Sequence, residues 1–209
     1  MNSFFQTFKK STVGKTIKRI RNSIVLGKWR RVPEGVALLV KDKHGTLLQY
    51  QKEFNLSVLI ETGTYMGDTL MACKDAFSEI YSIELDSQLQ KKAIERFREF
   101  PHIHILHGDS GVELSKLLPS ISKPILFWLD GHYSTGVTAK GDLNTPVIAE
   151  LISIFKSTIP RYVILIDDAR LFTGRDDYPT VGAVERLVQT YRPGWKFEVG
   201  GDIIRITAK

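Results

Sequence analysis

The sequence is poor in cysteine, since Cys73 is the one thiol among 209 residues. A single cysteine excludes an intrachain disulfide, which is typical of proteins in a reducing compartment. Long apolar runs are missing too, because no stretch approaches the roughly 18 residues that a membrane-spanning helix needs. The first residues show neither the apolar core nor the small-residue cleavage site of a secretion signal. We therefore expect a cytoplasmic protein.

Acidic residues are absent from residues 1–31, although nine of the 29 Lys and Arg residues lie there. Residues 32–209 consequently hold 20 basic and 23 acidic residues, a net charge of about −3, while the whole chain carries +6. The basic charge belongs to the N-terminal segment alone. A mildly acidic body disfavours nucleic acid as a partner.

Apolar residues recur at helix-like spacings through this segment, between the lysines and arginines: Phe4, Phe8, Val13, Ile17, Ile20 and Ile24. The pattern predicts a basic amphipathic helix. Such a helix could pack on its own domain with the basic face in solvent, or it could make peripheral contact with an anionic membrane. Both alternatives stay open. We predict an appended segment over 1–31 and a single domain over 32–209.

Short apolar runs alternate with helix-like segments from residue 56 onward, which is typical of βαβ units. The predicted parallel strands are 57–61, 79–84, 102–107, 124–130 and 162–167. Two later runs, KFEV and DIIRIT, are too close together for a crossover and predict an antiparallel hairpin. We predict an α/β fold with a Rossmann-like doubly wound sheet of about seven strands, mostly parallel, ending in that hairpin. Residues 32–55 fit a helix or another hairpin.

An acid stands at or just after the end of each predicted parallel strand, in order Glu61, Glu84, Asp109, Asp130 and Asp167-Asp168. Open α/β sheets bind ligands at the carboxyl ends of their strands, where the strand order reverses. Any one of these acids could simply cap the helix that follows it. Acids at all five strand ends, along one edge of the sheet, indicate a ligand site.

The turn after the first predicted strand is Gly63-Thr64-Tyr65-Met66-Gly67, which lacks the third glycine of a dinucleotide-binding turn. It also lacks a neighbouring basic residue, so a pyrophosphate beside several carboxylates would be repelled. NAD is therefore disfavoured. S-adenosylmethionine suits this edge better, because it combines a ribose diol, an adenine amine and cationic groups without phosphate.

The stretch ETGTYMG, followed in order by SIELD, HGDS and LDGH, resembles the motif series of class I S-adenosylmethionine-dependent methyltransferases over about residues 55–209. The resemblance implies cofactor contacts at Glu61, Gly63, Thr64, Gly67, Glu84, Asp109, Ser110 and Asp130. Among these, Glu61 would lie near the ammonium, Glu84 would hold the ribose diol, and Asp109 with Ser110 would face the adenine amine. Tyr65 departs from the family, which usually has glycine there.

Asp130, Asp167 and Asp168 offer hard oxygen ligands of the type that Mg²⁺ prefers. This set is similar to that of the metal-dependent sugar O-methyltransferases (macrocin O-methyltransferase-like), which implies methylation of a small polar or saccharide substrate. We predict His132 as general base, with Asp130 as a second catalytic residue, because imidazole titrates near neutral pH. Residues 131–146 resemble a substrate loop.

Two other interpretations stay open. The chain could be a related enzyme that resembles cephalosporin hydroxylase-like proteins, or a non-catalytic module that keeps a nucleotide pocket. A nucleic-acid methyltransferase is disfavoured, because no Asn-Pro-Pro-Tyr-like motif follows the fourth predicted strand. The sequence indicates no oligomeric state.

Overall fold

The computed structural model describes residues 34–131 and 145–209. The chain divides into two compact units, residues 1–45 and 46–209. Residues 34–45 of the first unit are helical, and the whole sheet belongs to the second. The predicted amphipathic segment 1–31, and His132 with most of the predicted substrate loop, lie outside the described residues. No helix within the described ranges is long and apolar enough to cross a membrane.

Strands and helices alternate along the described chain. The strands are β1 Val58–Thr62, β2 Glu79–Glu84, β3 Ile103–His107, β4 Ile125–Leu129, β5 Tyr162–Ile166, β6 Lys196–Gly200 and β7 Ile203–Thr207. The α-helices are α1 Glu34–Glu53, α2 Asp68–Cys73, α3 Ser87–Phe97, α4 Ser110–Leu117, α5 Val147–Lys156 and α6 Val181–Tyr191. Short 3₁₀ helices cover Leu118–Ser120 and Ala169–Leu171. The ambiguous stretch before β1 is thus helical from residue 34.

All seven strands form one sheet in the order β3-β2-β1-β4-β5-β7-β6. Strands β1 to β5 pair in parallel, whereas β7 runs antiparallel to both β5 and β6. The predicted doubly wound sheet with its C-terminal hairpin is confirmed. The order reverses between β1 and β4, so the crevice that binds ligands in such sheets lies at the carboxyl ends of these two strands.

Side chains alternate across the sheet and build one core on each face. Val58 and Ile60 of β1 join the core under α4, α5 and α6. Leu59 joins the other core, with Leu70 of α2 and Leu47 of α1. Strands β1, β4 and β5 are buried along their whole length, as expected for parallel strands covered by helices on both sides.

The hairpin turn between β6 and β7 consists of Gly201 and Asp202, with φ angles of 55° and 64°. Left-handed conformation at both residues is the geometry that matches the twist of a two-residue hairpin. Because β7 runs antiparallel to β5 and pairs Ile204 with Ile166, this turn lies at the carboxyl end of β5. Asp202 is thereby brought to the edge where the acids of the parallel strands lie.

Leu126 is the second residue of β4 and is completely buried. Leu126→Ala should lower the free energy of unfolding by about 2–5 kcal/mol, since it leaves a cavity between packed layers. Val199→Ala on edge strand β6, where the side chain is 50% exposed, is the control and should change stability by less than about 0.5 kcal/mol. Urea denaturation measures both, and equal losses would contradict this layer arrangement.

Candidate functional site

Glu61 lies within β1, one residue before its end, and is only 2% exposed. Ser82 stands beside it in register on β2 and donates its hydroxyl proton to Glu61 Oε2 at 2.6 Å. Because the Ser82 hydroxyl proton is already donated to Glu61, Ser82 Oγ is the acceptor in its 2.6 Å hydrogen bond with the Thr64 hydroxyl. A chain of hydroxyls therefore ties the turn after β1 to the buried carboxylate.

Burial raises the pKa of Glu61 from 4.5 to about 8. The hydrogen bond from Ser82 opposes this shift, and the nearby carboxylate of Asp130 adds to it. A carboxyl group with such a pKa holds a proton at neutral pH until a cation approaches it.

Glu84 ends β2 and is 5% exposed. Its Oε2 accepts from the backbone N–H of Tyr65 at 2.7 Å, and its Oε1 accepts from the N–H of Asp86 at 2.9 Å. Burial raises the pKa of Glu84, and the two amides partly counteract this. The carboxylate is therefore fixed in orientation from both sides, at the end of the strand next to β1.

The turn between β1 and α2 is held in its shape by packing. Gly63 has a φ of +83°, and a Cβ there would lie 2.7 Å from the carbonyl oxygen of Asp130. Gly67 has a φ of +75°, and a Cβ there would lie 2.5 Å from the Phe97 ring. Both glycines are therefore required by close approach within the protein itself.

Tyr65 adopts the left-handed conformation, with a φ of 49°. Glycine reaches this conformation without strain, whereas residues with a side chain adopt it rarely. In this conformation the backbone N–H of Tyr65 donates to Glu84 Oε2.

The turn also has a basic neighbour that its local sequence does not reveal. Arg96 of α3 donates to the carbonyl of Met66 and to Asp68 Oδ1, the latter at 2.9 Å. The expectation of a turn without a base was therefore wrong. Asp68 forms a salt bridge with Arg96, so the charge of Arg96 is neutralised beside the turn.

Asp109 and Ser110 lie where β3 passes into α4. Asp109 Oδ1 accepts from the N–H of Gly111 at 2.8 Å and caps the helix. Ser110 is buried and donates its hydroxyl to Glu150 Oε1 at 2.5 Å. Asp109 therefore caps the helix that follows it, which was the alternative interpretation for each acid at a strand end. Its second carboxylate oxygen remains available to another hydrogen-bond partner.

Glu150 of α5 was not found from the sequence, yet it is 1% exposed and lies among the strand ends. Burial raises its pKa to about 7, against hydrogen bonds from Ser110 and Thr62. A signal was present: the buried stripe of α5 contains Val147, Leu151 and Ile154, and Glu150 shares their face. A carboxylate at a core position of an amphipathic helix indicates a buried polar network.

A cleft at the ends of β4 and β5 is lined by Asp130, Glu150, Asp167, Phe172 and Tyr178, among others. Phe172 and Tyr178 come from the connection between β5 and α6, and their rings meet edge to face at 5.5 Å. Burial raises the pKa of Tyr178, and the charges of Asp168 and Asp130 raise it further. Its hydroxyl therefore stays protonated and can donate a hydrogen bond to a ligand.

Three acids converge beside this cleft: single carboxylate oxygens of Asp167, Asp168 and Asp202 lie within 4.8 Å of one another. Asp130, the third predicted metal ligand, is not in this group. The predicted set is therefore brought together only in part. Asp202 was missed because the hairpin, and not a strand end, delivers it.

Arg170 already serves this acid group as an internal cation. Its guanidinium donates to Asp168 Oδ1 at 2.7 Å and contacts the carboxylate of Asp202, and its backbone N–H donates to Asp202 Oδ1 at 2.9 Å. Asp168 itself is held in the left-handed conformation, with a φ of 54°. A metal ion at this place would have to displace Arg170.

No protein-family model and no curated protein matches the sequence. Solved structures do match. An O-methyltransferase from Bacillus cereus in complex with SAH is 13% identical, with a TM-score of 0.58 over 97% of this chain and 96% of that one. The SAH-bound methyltransferase PaMTH1 of Podospora anserina is 13% identical, with a TM-score of 0.56 over 93% and 96%. Cofactor-bound Rv0187 from MTB is 12% identical, with a TM-score of 0.59 over 97% and 94%. The chain has the Rossmann-like methyltransferase fold.

The pKa of Glu61 predicts a pH-dependent stability. Between pH 4.5 and about 8 the folded protein holds a proton that the unfolded chain has lost. The free energy of unfolding should therefore fall as the pH rises through this window. Glu61→Gln mimics the protonated form, so its stability relative to wild type should grow with pH by on the order of a few kcal/mol. Urea denaturation over a pH series tests this, and parallel curves for the two proteins would contradict it.

Proposed function

We propose that this protein is an S-adenosylmethionine-dependent methyltransferase that acts on a hydroxyl group of a small polar molecule such as a saccharide. The observation that carries the proposal is Glu84, a buried carboxylate held by two backbone amides at the end of β2. It lies one strand from the crevice between β1 and β4. The SAH-bound structures with the same fold support this choice of cofactor.

The described residues suit a methyl donor that carries a ribose diol and positive charge but no phosphate. The oriented carboxylate of Glu84 can accept both protons of a ribose diol. Glu61, at the base of the turn, is assigned to the ammonium group, and Asp109 with Ser110 to the adenine amine. Gly63, Thr64 and Gly67 form the turn beside the methionine part.

S-adenosylmethionine, when bound, supplies a methyl group activated by a positively charged sulfur. The acceptor hydroxyl must lose its proton as its oxygen bonds to the methyl carbon. Asp130 lines the cleft, and His132 follows it by two residues, so we assign the acceptor proton to this pair. Tyr178 orients the acceptor as a hydrogen-bond donor.

The cleft favours a neutral, hydroxyl-bearing acceptor over an anionic one. Asp130 and Asp167 both line it, and carboxylates repel a phosphate or carboxylate placed beside them. Sugar hydroxyls can donate to those oxygens and accept from Tyr178. This complementarity supports the saccharide class.

We further infer that Mg²⁺ assists the reaction and is held by Asp167 and Asp168. Asp202 is a third oxygen ligand from the described residues, and Asp130 is a candidate on the cleft side. Carboxylate oxygens are the ligand type that Mg²⁺ prefers. Mg²⁺ held by these aspartates would supply Lewis-acid chemistry.

Calorimetric titration with SAH and with NAD tests the cofactor assignment. Wild type should bind SAH and not NAD, and Glu84→Gln should weaken SAH binding by at least about tenfold, because a charged acceptor for the ribose is lost. Glu79→Gln is a matched control, since Glu79 begins the same strand β2 and pairs with Lys123. It should leave SAH affinity unchanged.

Absence of SAH binding by wild type would refute the proposed function. Equal SAH affinities for Glu84→Gln and wild type would refute only the placement of the ribose. Turnover of S-adenosylmethionine against a panel of sugars then separates an enzyme from a binding module.

Mn²⁺, which can replace Mg²⁺ at oxygen ligands, reports on the metal assignment through its electron paramagnetic resonance signal. Asp168→Asn should weaken Mn²⁺ binding about tenfold or more, because it removes a charged ligand. Arg170→Gln should strengthen binding, because the internal cation that competes for Asp168 and Asp202 is gone. Unchanged affinity in both variants would exclude a metal at these aspartates.

A further inference from the structure

Glu150 is buried at a position where the surrounding helix is apolar. Val147 and Leu151 flank it on the same face of α5, and both belong to the core under α4, α5 and α6. A buried carboxylate is costly to desolvate, and replacement of buried charges by apolar side chains of similar size is often neutral or stabilising. Core stability alone therefore does not account for a glutamate here.

The contacts of Glu150 are hydroxyl groups from two other segments. Ser110 donates to Oε1 at 2.5 Å, and Thr62 bonds the same carboxylate. Thr62 Oγ1 also accepts from the N–H of Gly131 at 3.2 Å, so its own proton is available to Glu150. With only 1% exposure, Glu150 acts through these neighbours and does not itself reach a ligand.

The hydrogen-bond network that includes Glu150, Ser110, Thr62 and Gly131 joins three different strand ends. Thr62 ends β1, Ser110 begins α4 directly after the β3 loop, and Gly131 follows β4. The fit around Gly131 is close, because a Cβ there would lie 3.1 Å from both Glu150 Oε1 and Thr62 Oγ1. One carboxylate thus fixes the spacing between the segments on either side of the crevice.

We propose that Glu150 is a positioning residue that sets the distance between Ser110 and the Asp130–Gly131 segment, and through it the selectivity of the pocket for an adenine base. This inference rests on the proposed function, which assigns Asp109 and Ser110 to the adenine amine. Because Ser110 is hydrogen-bonded to the Glu150 carboxylate, the segment of Asp109 and Ser110 keeps its place when the crevice is empty.

The test compares two substitutions with opposite chemistry. Glu150→Leu removes the acceptor and fills the space with an apolar side chain, whereas Glu150→Gln keeps an oxygen for Ser110. Calorimetry measures binding of SAH and of S-inosylhomocysteine, which lacks the adenine amine, and urea denaturation measures stability. Ile154→Val, on the same buried stripe one turn further along α5, is the control.

We expect Glu150→Leu to unfold at the wild-type urea concentration or above it. It should bind SAH about tenfold more weakly, the equivalent of one hydrogen bond, and lose the preference for SAH over the inosyl analogue. Glu150→Gln should retain most of the SAH affinity and most of the preference for SAH. Ile154→Val should lower the urea midpoint and leave the SAH affinity and the preference for SAH unchanged. If the role of Glu150 were merely structural, Glu150→Leu should behave in the same way.

Ser110→Ala provides the second measurement if Glu150→Leu does not fold. It should reduce the preference for SAH, and adding Glu150→Gln to it should cause little further loss. If Glu150→Leu or Ser110→Ala kept the wild-type affinity for SAH and the wild-type preference for SAH, the inference would be overturned. SAH binding by wild type would still support the proposed function in that case. No SAH binding by wild type would overturn both.

Discussion

Three carboxylates lie almost out of water at one edge of the sheet, and the local structure around them satisfies their oxygens. Glu61 is bonded by Ser82, Glu84 by two backbone amides, and Glu150 by Ser110 and Thr62. A buried carboxylate without such donors would be strongly destabilising. The turn after β1 contributes one of these donors, because the left-handed Tyr65 presents its N–H to Glu84.

The sheet and the acids at the strand ends could be predicted because both are local features of the sequence. Apolar runs mark β1 to β5, and Glu61, Glu84 and Asp130 stand at or beside their carboxyl ends. The strand order then brings these acids to one edge by a general property of parallel sheets. The short spacing between the last two strands similarly fixed the hairpin.

The missed residues all depend on contacts between distant parts of the chain. Arg96 reaches the turn from α3, 30 positions away from Met66, and Glu150 reaches Ser110 across 40 positions. Asp202 required the pairing of β7 with β5. Tyr65 was a mismatch in the sequence pattern, and the pattern gave no sign of its left-handed conformation or of its bond to Glu84.

The hairpin of β6 and β7 determines where the chain places Asp202, one member of the acid group. Strand β7 lies between β5 and β6, and its register against β5 sets where Asp202 stands. A one-residue slip in a strand exchanges its two faces, which would turn the buried Ile204 and Ile206 away from their core. The packing of Ile204 and Ile206 in the apolar core therefore also sets the position of Asp202 at the other end of the same strand register.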